Sequence, residues 1–314
     1  MKFGTILPAS GPMCNPQALA KLASHAEKCG FSAVGIADHI VIPSRIDSRY
    51  PYTETGKPPN WGEWVEQLTT LTFVAARTKK IRILTNVMVV PYRHPLLAAK
   101  ALSTIDLLSG GRLTVGVGAG WMREEFQALD ALPFEERGEV TDESIRIMKE
   151  VWTKVRPEFH GKHFDVAGIK FLPKPVQKPH PPIWVGGESP PAMRRAAELG
   201  DCWYPIGSNP LFPLRTIQQI RSGMARLRGY ERKARRKSML SVGYVAPTYD
   251  LMQKESAARG GKLFVGNPDK IVADIEECEK LGIGYISFDL ISGSLERSEK
   301  KMSEFSRRIM SKFV

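Results

Sequence analysis

The hydrophobic residues of this chain fall into two alternating patterns. Short runs that are almost entirely apolar, as at residues 33–38 and 284–290, are separated by longer stretches with apolar residues every three or four positions. The first pattern is typical of strands covered on both faces, and the second is typical of helices with one buried face. Eight strands are predicted in this way, over residues 2–8, 33–38, 81–90, 112–119, 182–187, 201–206, 239–247 and 284–290.

A glycine repeatedly separates the end of a helical stretch from the next strand, as in AEKCGFSAVGIAD (26–38) and CEKLGIGYISFDL (278–290). Glycine just after a helix takes up the left-handed conformation without strain. Repeated helix–glycine–strand units predict parallel strands joined by right-handed crossovers. The sequence therefore predicts one domain over residues 1–314, a (β/α)8 barrel, with an open doubly wound sheet as the alternative.

Long connections follow several of the predicted strands, at residues 39–62, 120–136 and 248–266. They leave the carboxyl ends of the strands, which is the face that carries the active site in such barrels. Long loops of this kind often act as lids. The proline-rich segment 157–181 is interpreted as an excursion from the barrel that contains a small hairpin.

The net charge of +12 raises the question of nucleic-acid binding. Much of the basic excess is one cluster at 221–237, which precedes the seventh predicted strand and so lies on the face opposite the expected site. No nucleic-acid motif accompanies it, and a solvated basic surface is the usual meaning of such a run. We therefore expect a small-molecule substrate and no nucleic-acid partner.

The cysteines and the hydropathy pattern indicate a cytoplasmic protein. Cys14, Cys29, Cys202 and Cys278 lack the spacing of a metal site, and they are interpreted as reduced thiols. No apolar run approaches membrane-spanning length, and the first residues do not resemble a signal peptide. We expect no metal and no membrane partner.

Two polar side chains, Asp38 and His39, end the second predicted strand. Burial of such groups is costly unless they are paired or used in chemistry. Because this strand end lies at the predicted active-site face, His39 is a candidate general acid or base. Asp38 could orient the imidazole or hydrogen-bond a cofactor. The alternative is that His39 only caps the strand.

The fourth and fifth predicted strands end in glycine-rich turns, GVGAGW (116–121) and WVGGESPP (184–191). Glycines let a backbone approach a ligand closely. Gly186, Gly187, Glu188 and Ser189 lead into a helix N-terminus, which suits a phosphate, although Glu188 disfavours an anion there. Both turns fit a flat cofactor that carries phosphate, and the alternative is that they are tight turns only.

Five stretches, in this order, resemble one family: GFSAVGIADH, RILTNVMVVPYRHP, SGGRLTVGVGAGW..EEF, PIWVGG and VGNPDKI. Over nearly its whole length the chain resembles the bacterial-luciferase-like flavin and deazaflavin oxidoreductases, most of all the branch that uses coenzyme F420. The resemblance implies hydride transfer between F420 and a small organic substrate. An FMN-dependent monooxygenase that uses reduced flavin, and a flavin-binding barrel without turnover, are the alternatives.

The resemblance also implies roles for particular residues. His39 matches the histidine that exchanges a proton beside the cofactor ring. Asn86 and Val87 match a bulge in strand three, where the family has a non-proline cis peptide. Backbone contacts to the cofactor are implied for Gly118, Ala119 and Gly120, and contacts to its phosphate end for Gly186 and Gly187. A homodimer formed through the second and third helices is implied as well.

Trp121 is a departure from the family pattern. In the sugar-phosphate and alcohol dehydrogenases of this family, an acidic residue takes this position after the strand-four glycine. The substitution puts their substrate chemistry in doubt, but not the cofactor site. Trp121 could stack on the ring or close it off, or it could be a packing residue at the barrel mouth.

Overall fold

Eight parallel strands close into a barrel in the computed structural model, which describes residues 1–58, 62–251 and 262–313. The strands β1 to β8 are Lys2–Ile6, Ala33–Ile36, Arg82–Thr85, Leu113–Gly118, Ile183–Gly186, Cys202–Tyr204, Ser241–Val245 and Tyr285–Phe288. Each strand pairs with its neighbour in the chain, and β8 pairs with β1. The predicted (β/α)8 barrel is confirmed, and the closure excludes the open sheet.

Helices connect successive strands and form the outer layer. The helices α1 to α9 are Pro16–Lys28, Gln67–Arg77, Pro95–Leu108, Arg123–Ala128, Arg137–Thr153, Pro190–Leu199, Ile217–Lys233, Pro268–Lys280 and Leu295–Arg308. Short 3-10 turns occur at Val90–Tyr92, Phe134–Glu136 and Met310–Lys312. Asparagine side chains begin two of the helices: Asn15 accepts from the amide of Ala18, and Asn267 from that of Lys270. No helix in the described ranges is long and apolar enough to cross a membrane.

The third predicted strand, 81–90, is not continuous. It stops at Thr85, and the short strand Met88–Val89 resumes the pairing with β4 after a bulge at Asn86 and Val87. The peptide bond between these two residues is cis, as the resemblance implied. The amide of Asn86 still donates to the carbonyl oxygen of Ile36 at 2.8 Å, so the bulge stays attached to β2.

The inside of the barrel is filled by side chains. The rings of Trp184, Tyr204 and Tyr285 meet edge to face or tilted, with the Trp184 centroid 5.2 Å from Tyr204 and 4.9 Å from Tyr285. Gly4 makes room for them, because a β-carbon there would lie 1.8 Å from the Tyr285 hydroxyl. The barrel is therefore closed below its mouth, and ligand chemistry is confined to the carboxyl ends of the strands.

Two small two-stranded sheets are present in addition to the barrel. Phe159–His160 and Asp165–Val166 pair as an antiparallel hairpin, which confirms the hairpin predicted within 157–181. Asp250–Leu251 pairs in parallel with Val265–Gly266, at the two ends of the predicted loop 248–266. The middle of that loop, and Trp61 of the predicted loop 39–62, lie outside the described residues.

Candidate active site

His39 lies just beyond β2, and its imidazole is bound by a glutamate from another part of the chain. Nδ1 of His39 lies 2.5 Å from Oε2 of Glu125, in α4, and the Glu125 side chain is completely buried. Because a carboxylate oxygen accepts hydrogen bonds, Nδ1 is the donor. Nε2 is therefore the ring nitrogen that Glu125 does not hold.

Glu125 also binds the backbone that follows His39. Its Oε1 accepts from the amides of Ile40 at 2.7 Å and Val41 at 3.2 Å, and its Oε2 accepts from the hydroxyl of Tyr92 at 2.9 Å. Four donors from two parts of the chain, residues 39–41 and Tyr92, thus converge on one buried carboxylate. Charge-assisted hydrogen bonds of this kind are stronger than neutral ones, so the imidazole is held in a defined orientation.

Asp38 does not orient the imidazole, although the sequence allowed that role. Its carboxylate is buried and accepts from both terminal nitrogens of Arg93, at 2.7 and 2.9 Å, and from the amide of Val89 at 2.8 Å. Arg93 also donates to Glu66 at 2.7 Å. Neighbouring residues at a strand end point to opposite sides. Asp38 therefore ties down the backbone after the bulge, and a cofactor contact by Asp38 stays a prediction.

The bulge and the glycines of β4 and β5 fit one another. The side chain of Val87 occupies the space that β-carbons would take at Gly116, Gly118 and Gly186, which would lie 3.1, 2.9 and 3.3 Å from its methyl groups. Gly118 and Gly186 are thus brought together with Val87. The sequence indicated that these glycines leave room for a ligand, and the structure shows that they leave room for Val87. Their contacts with a cofactor stay predictions.

Residues 119–121 continue this rim toward His39. Gly120 has a φ of +84°, and a β-carbon there would lie 2.7 Å from a methyl group of Val89, so only glycine fits. Trp121 follows, half-buried, with its ring centroid 6.2 Å from that of His39. Trp121 therefore lies at the barrel mouth beside the candidate catalytic residue. For Ala119, which lies between Gly118 and Gly120, the backbone contact with the cofactor stays a prediction.

The turn after β5 has a different electrostatic character from the one the sequence suggested. Glu188 is buried and accepts from the amide of Ile206 at 2.6 Å and from Nδ2 of Asn209 at 2.8 Å. Burial raises the pKa of Glu188 to about 7, against the lowering effect of these two donors. The carboxyl group is therefore used to hold the loop after β6, and it is not ionised as readily as an exposed glutamate.

Ser189 precedes α6 but does not cap it, because its hydroxyl makes no hydrogen bond to the first turn. Pro190 and Pro191 carry no amide hydrogen, so the first backbone donor of α6 is that of Ala192. Gly187, with a φ of +98°, turns the chain between β5 and this helix. The described part of the chain holds no group of three or more His, Cys, Asp or Glu side chains suited to a metal ion.

Residues 39–58, here called the strap, run across the barrel mouth. Glu124 accepts from the amides of Asp47 and Ser48, both at 2.9 Å, next to Glu125 on α4. Farther along, Glu54 forms an ion pair with Arg215, which lies in the connection after β6. Because β2 and β6 are on opposite sides of an eight-stranded barrel, this contact takes the strap over the mouth.

Glu125 was not foreseen from the sequence, although EEF was among the stretches that resembled the family. The segment 120–136 was interpreted as a loop, and α4 within it has only six residues. A helix this short gives no clear periodicity. The available signal was a pair of adjacent glutamates before a phenylalanine, at the face where a histidine also lies.

The sequence model of one protein family, described as luciferase-like monooxygenase, matches residues 1–248 of the chain. The chain belongs to this family. The relatives of this luciferase-like chain include two proteins with stated activities. An FMNH(2)-dependent dimethylsulfone monooxygenase of Pseudomonas putida is 35% identical over 51% of this chain and 44% of its own length. An F420-dependent glucose-6-phosphate dehydrogenase of Amycolatopsis mediterranei is 29% identical over 62% of this chain and 54% of its own length.

The aligned region covers less than two thirds of the length of the curated luciferase-like relatives, from 44% to 65%. Among solved structures, monooxygenase RslO1 from Streptomyces bottropensis superposes with a TM-score of 0.80 and 23% identity, covering 100% of both chains. At 23% identity, this structural similarity is evidence for a common fold and not for a common function. Both F420-dependent and FMN-dependent proteins thus occur among the relatives of this luciferase-like chain.

Proposed function

We propose that this protein is an oxidoreductase that transfers a hydride between coenzyme F420 and a small organic substrate. The observation that carries the proposal is the buried Glu125 that holds His39 at the barrel mouth. A histidine whose imidazole is oriented by a buried carboxylate is a typical general acid or base. Membership of the luciferase-like family supports a ring cofactor at this mouth.

The residues present fit such a cofactor. Val87, on the bulge, is half-buried at the rim, where its side chain can support a flat ring. Toward the phosphate end, the Ser189 hydroxyl and the amide of Ala192 are donors suited to an anion. The Glu188 carboxyl group is engaged with Ile206 and Asn209, so it does not oppose that anion as the sequence suggested.

The bound cofactor supplies the hydride chemistry, and the protein supplies binding, orientation and proton transfer. Glu125 accepts a hydrogen bond from Nδ1 of His39 and orients the imidazole, and Nε2 is the ring nitrogen that would take up or release the proton that accompanies the hydride. Asp38 and Arg93 hold Val89 and thereby the backbone on which the bulge depends. The strap covers the mouth and limits the access of water.

Cofactor titration tests the proposal directly. The protein is titrated with oxidised F420 and, separately, with FMN, and binding is followed by the fluorescence of each cofactor. We expect F420 to bind at least about tenfold more tightly, a difference of about 1.4 kcal/mol. Tighter binding of FMN would contradict the F420 assignment, and binding of neither cofactor would contradict the proposed function.

The second candidate is an FMN-dependent monooxygenase. It is favoured by the 35% identity with the FMNH(2)-dependent relative, which exceeds the 29% identity with the F420-dependent one. Oxygen uptake with reduced FMN, measured over the rate of free reduced FMN, separates the two candidates. Protein-dependent uptake with reduced FMN and none with reduced F420 would support the monooxygenase.

The variant His39→Asn tests the role of the imidazole with little disturbance of its surroundings. The asparagine amide can still donate to Glu125 from a position close to Nδ1, but it has no group in place of Nε2. We expect cofactor affinity to stay within a few-fold and turnover to fall by about 10²–10⁴-fold, the usual contribution of a general acid or base. Turnover close to that of the wild type would mean that His39 only ends the strand.

We also propose that the protein is a homodimer that associates through α2 and α3. Leu97 and Leu108 of α3 are 70% and 63% exposed, and Leu107 is 47% exposed. Exposed leucines on one helix favour a protein partner. Sedimentation at micromolar concentration should give a dimer, and Leu108→Asp should weaken it. A wild-type monomer would contradict the proposal.

A further inference from the structure

A continuous wall of aromatic rings runs from His39 to the strap. The ring centroids of Trp64 and Trp121 lie 4.8 and 6.2 Å from that of His39, both nearly perpendicular to it. Tyr50 of the strap lies 5.1 Å from Trp121, and Tyr52 lies 5.5 Å from Tyr50. The four aromatic side chains are half-buried, so each keeps accessible surface. We call this set, Trp64, Trp121, Tyr50 and Tyr52, the aromatic wall.

The polar groups of the wall are neutral. Burial raises the pKa of Tyr50 and, more strongly, that of Tyr52, where the nearby Glu188 adds to the effect. Both phenols therefore keep their hydrogen at neutral pH and can serve as donors. Phenols and indoles combine large apolar faces with one polar end, which is the usual lining of a pocket for an uncharged ligand.

Four arginines of the strap and of the segments next to it are already bound to protein groups. Four of these interactions are present in the described residues: Arg45 with Asp47, Arg49 with the carbonyl oxygen of Glu54, Arg123 with Glu135, and Arg215 with Glu54. A site for a phosphorylated substrate needs cations directed at the ligand. Three of these arginines are paired with carboxylates of the strap or its neighbours, so they are directed at protein groups, and uncharged ring faces border His39.

We infer that the substrate is an uncharged planar ring compound, aromatic or conjugated, that packs against Trp121 and Tyr50 next to His39. The inference rests on the proposed function, because it takes His39 as the reacting group. Rings at an aromatic wall gain from edge-to-face and offset packing beyond the burial of their area. A saturated ring of the same size lacks that gain, and a charged group would lose its hydration against ring faces that carry no charge.

Three probes that share one skeleton test this inference: 2-naphthol, decahydro-2-naphthol and 2-naphthyl phosphate. Binding of each is measured by calorimetry on the protein alone and on the protein saturated with whichever cofactor it binds. We expect 2-naphthol to bind about tenfold more tightly than its saturated analogue, which corresponds to two aromatic contacts of ordinary strength. We expect the phosphate to bind least.

Two variants assign the preference to the wall. Trp121→Leu and Tyr50→Leu keep apolar side chains but each removes one of the two aromatic contacts, so each should reduce the tenfold preference to about threefold. Tyr230→Leu is the matched control, because Tyr230 is a half-buried aromatic residue on α7, where its ring contacts Lys233. It should leave the preference unchanged. Thermal unfolding of all three variants checks that they fold.

The outcomes are distinct from those of the cofactor titration. Equal affinity for the planar and the saturated probe, or tightest binding of the phosphate, would overturn the inference even if F420 binds. A planar preference that stays tenfold in both wall variants would also overturn it. If neither cofactor binds but the planar preference is present and is lost in Trp121→Leu, the proposed function fails and the planar-ligand site stands.

Discussion

The substitution Glu125→Gln changes one atom of the site and has two separate consequences. The amide oxygen of the glutamine can replace Oε1, which accepts from Ile40 and Val41. The amide nitrogen then takes the place of Oε2, opposite Nδ1 of His39 and the hydroxyl of Tyr92. Since that nitrogen is a donor, Nδ1 must become an acceptor, and the ring hydrogen moves to Nε2.

The cost to stability follows from the same contacts. Two hydrogen bonds to a carboxylate are lost, each with a net value of about 1.5–3 kcal/mol, and two neutral bonds of about 1 kcal/mol replace them. The free energy of unfolding should therefore fall by roughly 1–4 kcal/mol. Glu124→Gln is the matched control. The oxygen of its amide can still accept from Asp47 and Ser48, so we expect a loss of less than about 1 kcal/mol.

Two measurements check these expectations. Urea unfolding gives the free energies, and nitrogen NMR of histidine-labelled protein, with His39→Asn used to assign the signal, reports which ring nitrogen carries the hydrogen in the neutral ring. We expect an Nδ1–H form in the wild type and in Glu124→Gln, and an Nε2–H form in Glu125→Gln. The reasoning is refuted if Glu125→Gln keeps the hydrogen on Nδ1, or if its stability equals that of Glu124→Gln.

Further predictions concern stability. Asp38→Asn should cost about 2–4 kcal/mol in urea unfolding because it breaks a buried ion pair. Asp47→Asn, in an exposed pair, should have little effect on stability. Equal costs would contradict this. Because the pKa of Glu188 is raised from 4.5 to about 7, the folded state keeps a proton that the unfolded state loses, so stability falls as the pH rises from about 4.5 through 7. Glu188→Gln should therefore gain about 3 kcal/mol relative to the wild type between pH 5 and pH 8, and a constant difference would argue against the raised pKa. Gly116→Ala should cost more than about 2 kcal/mol, because its β-carbon would lie 2.1 Å from a backbone oxygen, and Gly284→Ala, with open space around it, should be close to neutral.

The barrel could be predicted from the sequence because its strands are buried on both faces and their ends are marked by glycine. Each of the eight predicted segments contains an observed strand, and the errors lie at the segment ends and in the break of the third segment at Asn86 and Val87. Residues 239–247 were predicted as a strand, for example, and Ser241–Val245 is observed. The position of His39 at the mouth followed from the barrel alone, since a residue that ends a strand must lie on that face.

The partners of the site residues could not be predicted in the same way. Glu125 is 86 residues from His39, and Arg93 is 55 residues from Asp38. Such pairs depend on how separate strand ends are arranged around the mouth, which no local pattern reports. The break in strand three is similar: LTNVMVV has the composition of an unbroken strand, and only the resemblance indicated the bulge at Asn86 and Val87.

The way the strap is attached divides it into two parts with different freedom to change in evolution. Its first ten residues are bound by the two glutamates of α4, one of which also holds His39, so a change there would disturb the imidazole as well. From residue 49 onward the strap carries Tyr50 and Tyr52 and is joined to the far side by Glu54 and Arg215. We expect related enzymes to acquire new substrate ranges by exchange of this second part while their proton-transfer machinery stays intact.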